Sequence, residues 1–159
     1  MVCYNFFKIV DKIKYLVYFI NSSYAVFNGK IKNREGYMGK TLRILVVDDD
    51  ASNRMLLQDI FHVFGYKVRI ASNSIEARIK ISEKTPDIVI TDWQMPGISG
   101  VDLIKEIKIS CPNIKTILMS GNEERAVKEA AEIAGANDFI HKPFHFNNLL
   151  TKVKRLSSL

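Results

Sequence analysis

Residues 87–100 read DIVITDWQMPGISG. The run Ile88-Val89-Ile90 is apolar and β-branched, as in a parallel strand buried on both faces, and Asp92 follows it almost at once, ahead of a turn rich in Pro and Gly. A carboxylate carried to the edge of a core needs a reason, and working outward from it shows what the other strand ends bring. RILVV (43–47) has the same buried character and runs into Asp48, Asp49 and Asp50. KVRIA (67–71) alternates, which suits an edge strand. KTILM (115–119) leads into Ser120 and Gly121, and DFIH (138–141) leads into Lys142 and Pro143.

Segments of helical period lie between these runs. Residues 52–64 place Leu56, Ile60, Val63 and Phe64 on one face and meet Gly65 as a stop. Asn73 with Glu76, and Ser99 with Asp102, have the spacing of capping boxes for helices over 74–84 and 100–109. Residues 123–134 are rich in Ala, Glu and Lys and end at Gly135, while 145–156 spaces Phe146, Leu149, Leu150 and Val153 for burial. The result is five βα units in an α/β fold. Right-handed crossovers put helices on both faces of such a sheet, and ligands bind outside the carboxyl ends of its strands. Asp92 therefore stands where an open α/β sheet keeps its active site.

The same edge collects Asp48, Asp49, Asp50, Asp92, Ser120, His141 and Lys142. Taken singly, an Asp after a strand is usually a turn or cap, Ser120 a cap and Lys142 a surface lysine; the conjunction at strand ends carries the argument. Clustered carboxylates repel unless some protonate or a cation neutralises them. An all-oxygen set with room for water and phosphate favours Mg²⁺ over Ca²⁺. A carboxylate can also serve as nucleophile toward phosphorus, with the metal and Lys142 offsetting charge and Ser120 donating a hydrogen bond. His62, His141 and His145 are expected to decorate the surface rather than bind metal, and Trp93 to be partly exposed.

Together these residues resemble the receiver domain of bacterial two-component response regulators, of the chemotaxis-regulator type and here stand-alone. The resemblance covers about 41–156 and implies a flavodoxin-like (βα)5 fold, doubly wound, with strand order 2-1-3-4-5. It implies Asp92 as phosphoacceptor, in a motif of the form Asp-x-x-Met-Pro-x-x-x-Gly, and Mg²⁺ held by Asp48, Asp49, Asp92 and the backbone carbonyl of Gln94. It implies Ser120 as switch hydroxyl, Phe139 as switch aromatic, Lys142 in a Lys-Pro pair usually joined by a cis peptide bond, and Gln94 and Asn122 as tuners of phosphoryl lifetime. Asp50 is left to cap the following helix. Phe139 has no hydroxyl, so switching there would rest on packing.

The implied function is that of a response regulator in a two-component or phosphorelay system. It catalyses its own phosphorylation and dephosphorylation and is not otherwise an enzyme. Its implied partners are a sensor histidine kinase or histidine phosphotransfer protein, and a downstream protein on the face of 123–134, 138–142 and 145–156. Three other readings give different roles to the same residues. In a haloacid-dehalogenase-like phosphatase Asp48 would be nucleophile and Asp50 acid/base, leaving Asp92 idle. A flavin carrier would want Ser, Thr and Gly where three aspartates would repel the flavin phosphate. A receiver can also act constitutively as a binding module.

The 159 residues allow one domain of about 100 to 150 residues and a modest appendage. The formal charge of +6 is uneven, because residues 1–37 hold six Lys or Arg against Asp11 and Glu35. The remainder is near neutral, a poor basis for nucleic-acid binding. Cys3 and Cys111 form no CxxC or zinc spacing, which fits a reducing cytoplasm. The stretch YLVYFINSSYAVF is interrupted and too short for stable membrane insertion.

Residues 1–37 carry nine of the 16 aromatic side chains without a clean helical or strand period. Two readings stand for this extension: a leader ahead of a true start at Met38, giving a receiver over 38–159, or a weak amphipathic helix at 6–20 that docks on a partner or membrane. Intact-mass measurement of the natively expressed protein is expected to find Met38 at the amino terminus. A terminus at Met1 removes the start-site reading.

Overall fold

The computed structural model describes residues 24–27, 30–33, 41–121 and 125–158. The chain divides into two compact units, Met1–Lys40 and Thr41–Leu159. In the first, Tyr24–Phe27 and Lys30–Asn33 pair antiparallel, with Phe27 opposite Lys30. The sequence reading did not find these strands, although Asn28-Gly29 between them is a dipeptide favoured in two-residue hairpin connections. The segment 6–20 lies outside the described residues. No helix among the described residues is long and apolar enough to cross a membrane.

The second unit is built on five parallel strands: β1 (Arg43–Val47), β2 (Lys67–Ala71), β3 (Ile88–Asp92), β4 (Lys115–Ser120) and β5 (Asp138–His141). Their order is β2-β1-β3-β4-β5, the doubly wound flavodoxin-like arrangement expected from the sequence. β3 pairs with β1 on one side and β4 on the other, with Ile88 opposite both Ile44 and Lys115. Every residue of β3 is buried, whereas β2 at the edge shows a mixed pattern. Central strands covered on both faces have no solvent side to mark with polar residues, so they read as apolar runs.

The helices are α1 (Ala51–Val63), α2 (Ser74–Glu83), α3 (Gly100–Ser110), α4 (Arg125–Ile133) and α5 (Phe146–Ser157). On one face of the sheet Leu45, Val47 and Val89 pack with Ala77 and Ile81 of α2 and Leu103 and Ile107 of α3. Leu118 on the same face meets Ile104 of α3 and Val127 and Ala131 of α4. The direction of strand addition reverses after β2, so right-handed crossovers place α1 on the opposite face. There Phe61 of α1 meets Phe146 of α5 edge to face at 5.1 Å, and Phe64 stacks on Phe146 at 5.5 Å.

Local signals end the helices where the sequence places them. Gly65 and Gly135 follow α1 and α4 with φ of 81° and 83°, a conformation that costs a residue with a Cβ far more than glycine. Asp50 caps α1 by accepting from the Ser52 and Asn53 amides. The two predicted capping boxes close only in the forward direction. Asn73 and Ser99 accept from the Glu76 and Asp102 amides, but Glu76 reaches Ser72 and Asp102 takes the Ser99 hydroxyl, so neither returns to the cap amide.

The phase of α1 is also corrected. Its buried residues are Leu57 and Phe61, while Leu56, Ile60, Val63 and Phe64 are half-buried. The helix serves both the sheet and α5, so its apolar arc is wide and its deepest line runs one residue later than the densest apolar spacing indicates. Phe61 is fully buried between Tyr66 and Phe146. Phe61→Ala is expected to cost about 3–5 kcal/mol, and Ile60→Ala less than half as much, read from urea midpoints at unchanged m-value.

Candidate functional site

Parallel pairing aligns the carboxyl ends of β1, β3, β4 and β5, and each end delivers a polar side chain. β1 continues into Asp48, 1% exposed, and Asp49, which is open to solvent. β3 ends on Asp92 and β4 on Ser120, both buried. β5 continues through His141 to Lys142, and the Lys142–Pro143 peptide bond is cis. The carboxylates of Asp48, Asp49 and Asp92 bring one oxygen each within 4.8 Å of one another. The Lys142 ammonium lies 2.8 Å from Asp48 Oδ2 and 2.7 Å from Asp92 Oδ1.

One ammonium shared by two carboxylates cannot compensate both. Burial raises the pKa of Asp92, the Lys142 bond opposes the rise, and the charges of Asp48 and Asp49 reinforce it; the net direction is upward. For Lys142, burial pulls the pKa down, but the bonds to Asp48 and Asp92 outweigh it and the net direction is also upward. The site holds its ammonium firmly charged and retains a surplus of negative charge. Three carboxylates with no nitrogen or sulfur ligand form a donor set suited to a hard divalent cation. They are the one such group of three acidic or metal-ligating side chains among the described residues.

The chain matches the response regulator receiver domain across residues 44–154. It belongs to that family. It is 44% identical over 121 residues to the chemotaxis protein CheY of Thermotoga maritima, covering 76% of this chain and 99% of the relative. It is 31% identical to sporulation initiation phosphotransferase F of Bacillus subtilis, covering 71% of this chain and 91% of that one. Among solved structures, the response regulator protein TrrA of Thermotoga maritima, in complex with Mg²⁺ and BeF, superposes with a TM-score of 0.67 at 36% identity, over 73% of this chain and 99% of that chain. Receiver domains are signalling domains of two-component systems that phosphorylate and dephosphorylate themselves and bind Mg²⁺ at an acidic pocket.

Around the acidic cluster of this receiver, short-range bonds fix the backbone. The Asp50 amide donates to Asp48 Oδ1 at 2.9 Å, and Asn53 Nδ2 to Asp48 Oδ2 at 3.4 Å. Arg54 Nη1 donates to the main-chain carbonyls of Asp48 at 2.7 Å and Asp49 at 2.9 Å. Asp50 is engaged as the α1 cap, its Oδ1 accepting from the Ser52 and Asn53 amides. Beside Asp92, a Cβ at Gly100 would lie 1.9 Å from the Asp92 carbonyl oxygen, so only glycine allows α3 to start that close. Buried Ser74 donates to the Ile98 carbonyl at 2.7 Å and ties the loop after Asp92 to α2.

The residues singled out in the sequence take the following places. Lys142 bonds Asp48 and Asp92 directly, and Asp49 brings a carboxylate oxygen within 4.8 Å of theirs. Ser120 lies on the adjoining strand, and its carbonyl accepts the Lys142 amide at 2.6 Å. Gln94 is exposed and lines a shallow cleft with Trp93, Met95, Pro96 and Ser99. Phe139 is half-buried against the Leu118, Val127 and Ala131 cluster, where Trp93 also packs. Asn122 lies outside the described residues. His62 and His145 are exposed and His141 is half-buried. The sequence reading missed Asn53, Arg54 and Ser74. The first two follow the acidic run within one helical turn, a proximity that could have drawn notice; Ser74 carried no such signal.

An Asp92 carboxyl whose pKa is higher folded than unfolded costs the fold stability once it ionises. That cost is complete above the folded pKa and vanishes below the unfolded value. Asp92→Asn is therefore expected to be more stable than the parent at pH 7 without metal, with the gain shrinking as the pH falls into the carboxylate range. Urea unfolding at pH 7 and at pH 4 checks this, and a destabilised variant at pH 7 would show that the Lys142 bond outweighs burial and repulsion.

Proposed function

We propose that this receiver accepts a phosphoryl group on Asp92 from a phosphohistidine of a sensor kinase or phosphotransfer protein, and passes the signal on by a change of surface. The observation that carries the reading is the Lys142 ammonium bonded to both Asp48 and Asp92 within a cluster of three carboxylates. An Asp92 carboxylate oxygen attacks phosphorus, the P–N bond breaks, and the imidazole nitrogen leaves with the electron pair and takes a proton. Lys142 then faces the new phosphoryl oxygens with a charge held by its two carboxylate neighbours. Ser120 donates its hydroxyl to a phosphoryl oxygen. Asp48, Asp49, Asp92 and the Gln94 carbonyl would hold Mg²⁺, which when bound offsets the negative charge of carboxylates and phosphoryl group. Hydrolysis of the acyl phosphate returns Asp92, with Gln94 and Asn122 governing the approach of water.

Packing supports a switch at Ser120 and Phe139. Ser120 is joined through its carbonyl to the Lys142 amide, and Phe139 shares a cluster with Val127 and Ala131 of α4. Movement of Ser120 toward the phosphoryl group opens space for Phe139, and the face of α4, β5 and α5 changes for a downstream protein. No direct contact with nucleic acid is needed, and the reading places the protein in the cytoplasm. With the full chain, Trp93 fluorescence is expected to change on addition of Mg²⁺ and again with acetyl phosphate, alongside a mass increase of one phosphoryl group. Asp92→Asn should lack the second change and the mass increase. A mass increase that survives in Asp92→Asn moves the acceptor elsewhere; none in either protein leaves a constitutive binding module.

A further inference from the structure

Arg54 sits where an arginine gains little from the helix that bears it. Counting from Ala51, it is the fourth residue of α1, in the first turn, where aligned peptide dipoles leave partial positive charge and disfavour cations. Its guanidinium does not compensate by pairing with a carboxylate among the described residues. Nη1 instead donates to two consecutive main-chain carbonyls, those of Asp48 and Asp49. These are charge-assisted bonds, stronger than neutral ones.

Asp49 shows why this matters. Asp48 is held from several sides: its carboxylate takes the Asp50 amide, Asn53 and Lys142, and its own amide donates to the Ala71 carbonyl. The Asp49 side chain is exposed and enters no ion pair among the described residues. Its carboxylate is nonetheless one of the three that converge within 4.8 Å. Repulsion from Asp48 and Asp92 would push an exposed carboxylate on a free loop outward; Asp48 and Asp50 on either side are tied by their own bonds, and the bond to the Asp49 carbonyl comes from Arg54.

We propose that Arg54 is a positioning residue for the divalent cation, acting through the Asp48 and Asp49 carbonyls to hold Asp49 in the ligand set without touching the ion. This rests on the receiver reading above. Two effects of Arg54 on cation affinity have opposite signs. Its positive charge near the site weakens binding of Mg²⁺, whereas its hold on the loop strengthens it by removing an ordering cost. Loss of partners that orient metal ligands typically lowers affinity about 10- to 100-fold, and the positioning effect is the larger.

The test is Mg²⁺ binding by calorimetry on the full chain, comparing the parent with Arg54→Met, Arg54→Lys and Asp49→Asn. Arg54→Met is expected to bind Mg²⁺ about tenfold more weakly despite losing a positive charge. Arg54→Lys, which keeps the charge and a nitrogen donor, should recover most of the affinity. Unchanged or tighter binding in Arg54→Met overturns the proposal, and so does an Arg54→Lys variant as weak as Arg54→Met. A second readout needs no metal: the Asp50 amide should exchange its hydrogen faster in Arg54→Met and in Arg54→Lys than in the parent, in that order, at matched global stability. If the parent binds no Mg²⁺ that Asp49→Asn abolishes, the metal reading itself fails, while the exchange order still shows whether Arg54 holds the loop; equal exchange in all three proteins overturns that as well.

Discussion

Three carboxylates bring one oxygen each within 4.8 Å of one another, two of them bonded to the same ammonium, and the rest of the structure is arranged to make that tolerable. Two of the carboxylates are buried, so water does little to screen their repulsion. Lys142 bonds Asp48 and Asp92 together, yet the pKa of Asp92 stays raised because burial, reinforced by the charges of Asp48 and Asp49, outweighs the Lys142 bond. Such a site favours any arrival that brings positive charge to it.

The sheet supplies the rigidity this requires. At the end opposite the site, Arg43 donates from Nε and Nη2 to Asp87 at 3.1 and 2.9 Å and from its amide at 2.9 Å, locking the starts of β1 and β3 in register. With their beginnings fixed and their lengths in step, the two strands must end side by side. Asp48 and Asp92 are thereby neighbours by construction. Gly100 and Ser74 then hold the loop after Asp92 against α2 and α3, so Asp92 sits on a strand end with a braced exit.

Signalling needs one part of this frame to be less constrained than the rest. Ser120 and Lys142 are linked through the backbone, while Phe139 is only half-buried, at the boundary between β5 and α4. In the proposed switch, a chemical event at Asp92 is felt first at a side chain with room to move, and next at the face of α4. Under that proposal Phe139 transmits by volume alone, since it has no hydroxyl to exchange one hydrogen-bond partner for another.

The chain by itself determined the five strands of the parallel sheet, the helix ends and the identity of the acidic cluster. Ile88-Val89-Ile90 can only be comfortable buried, Gly65 and Gly135 take a backbone conformation that other residues avoid, and Asp50 and Ser99 cap at short range; each is a local preference written in a few residues. Asp92 and Lys142 were legible as partners once five βα units put their strands in one sheet. Tertiary structure decided the rest. The deep line of α1 through Leu57 and Phe61 depended on where α5 places Phe146. The tight seat of Gly100 depended on how close α3 comes to β3. The division of Lys142 between two carboxylates, and the turn of Arg54 back onto the acidic loop, depended on distances that no periodicity encodes. Local preferences act over one or two turns of chain and can be read in order, whereas packing and charge sharing join residues far apart in sequence and exist only once the sheet has brought them together.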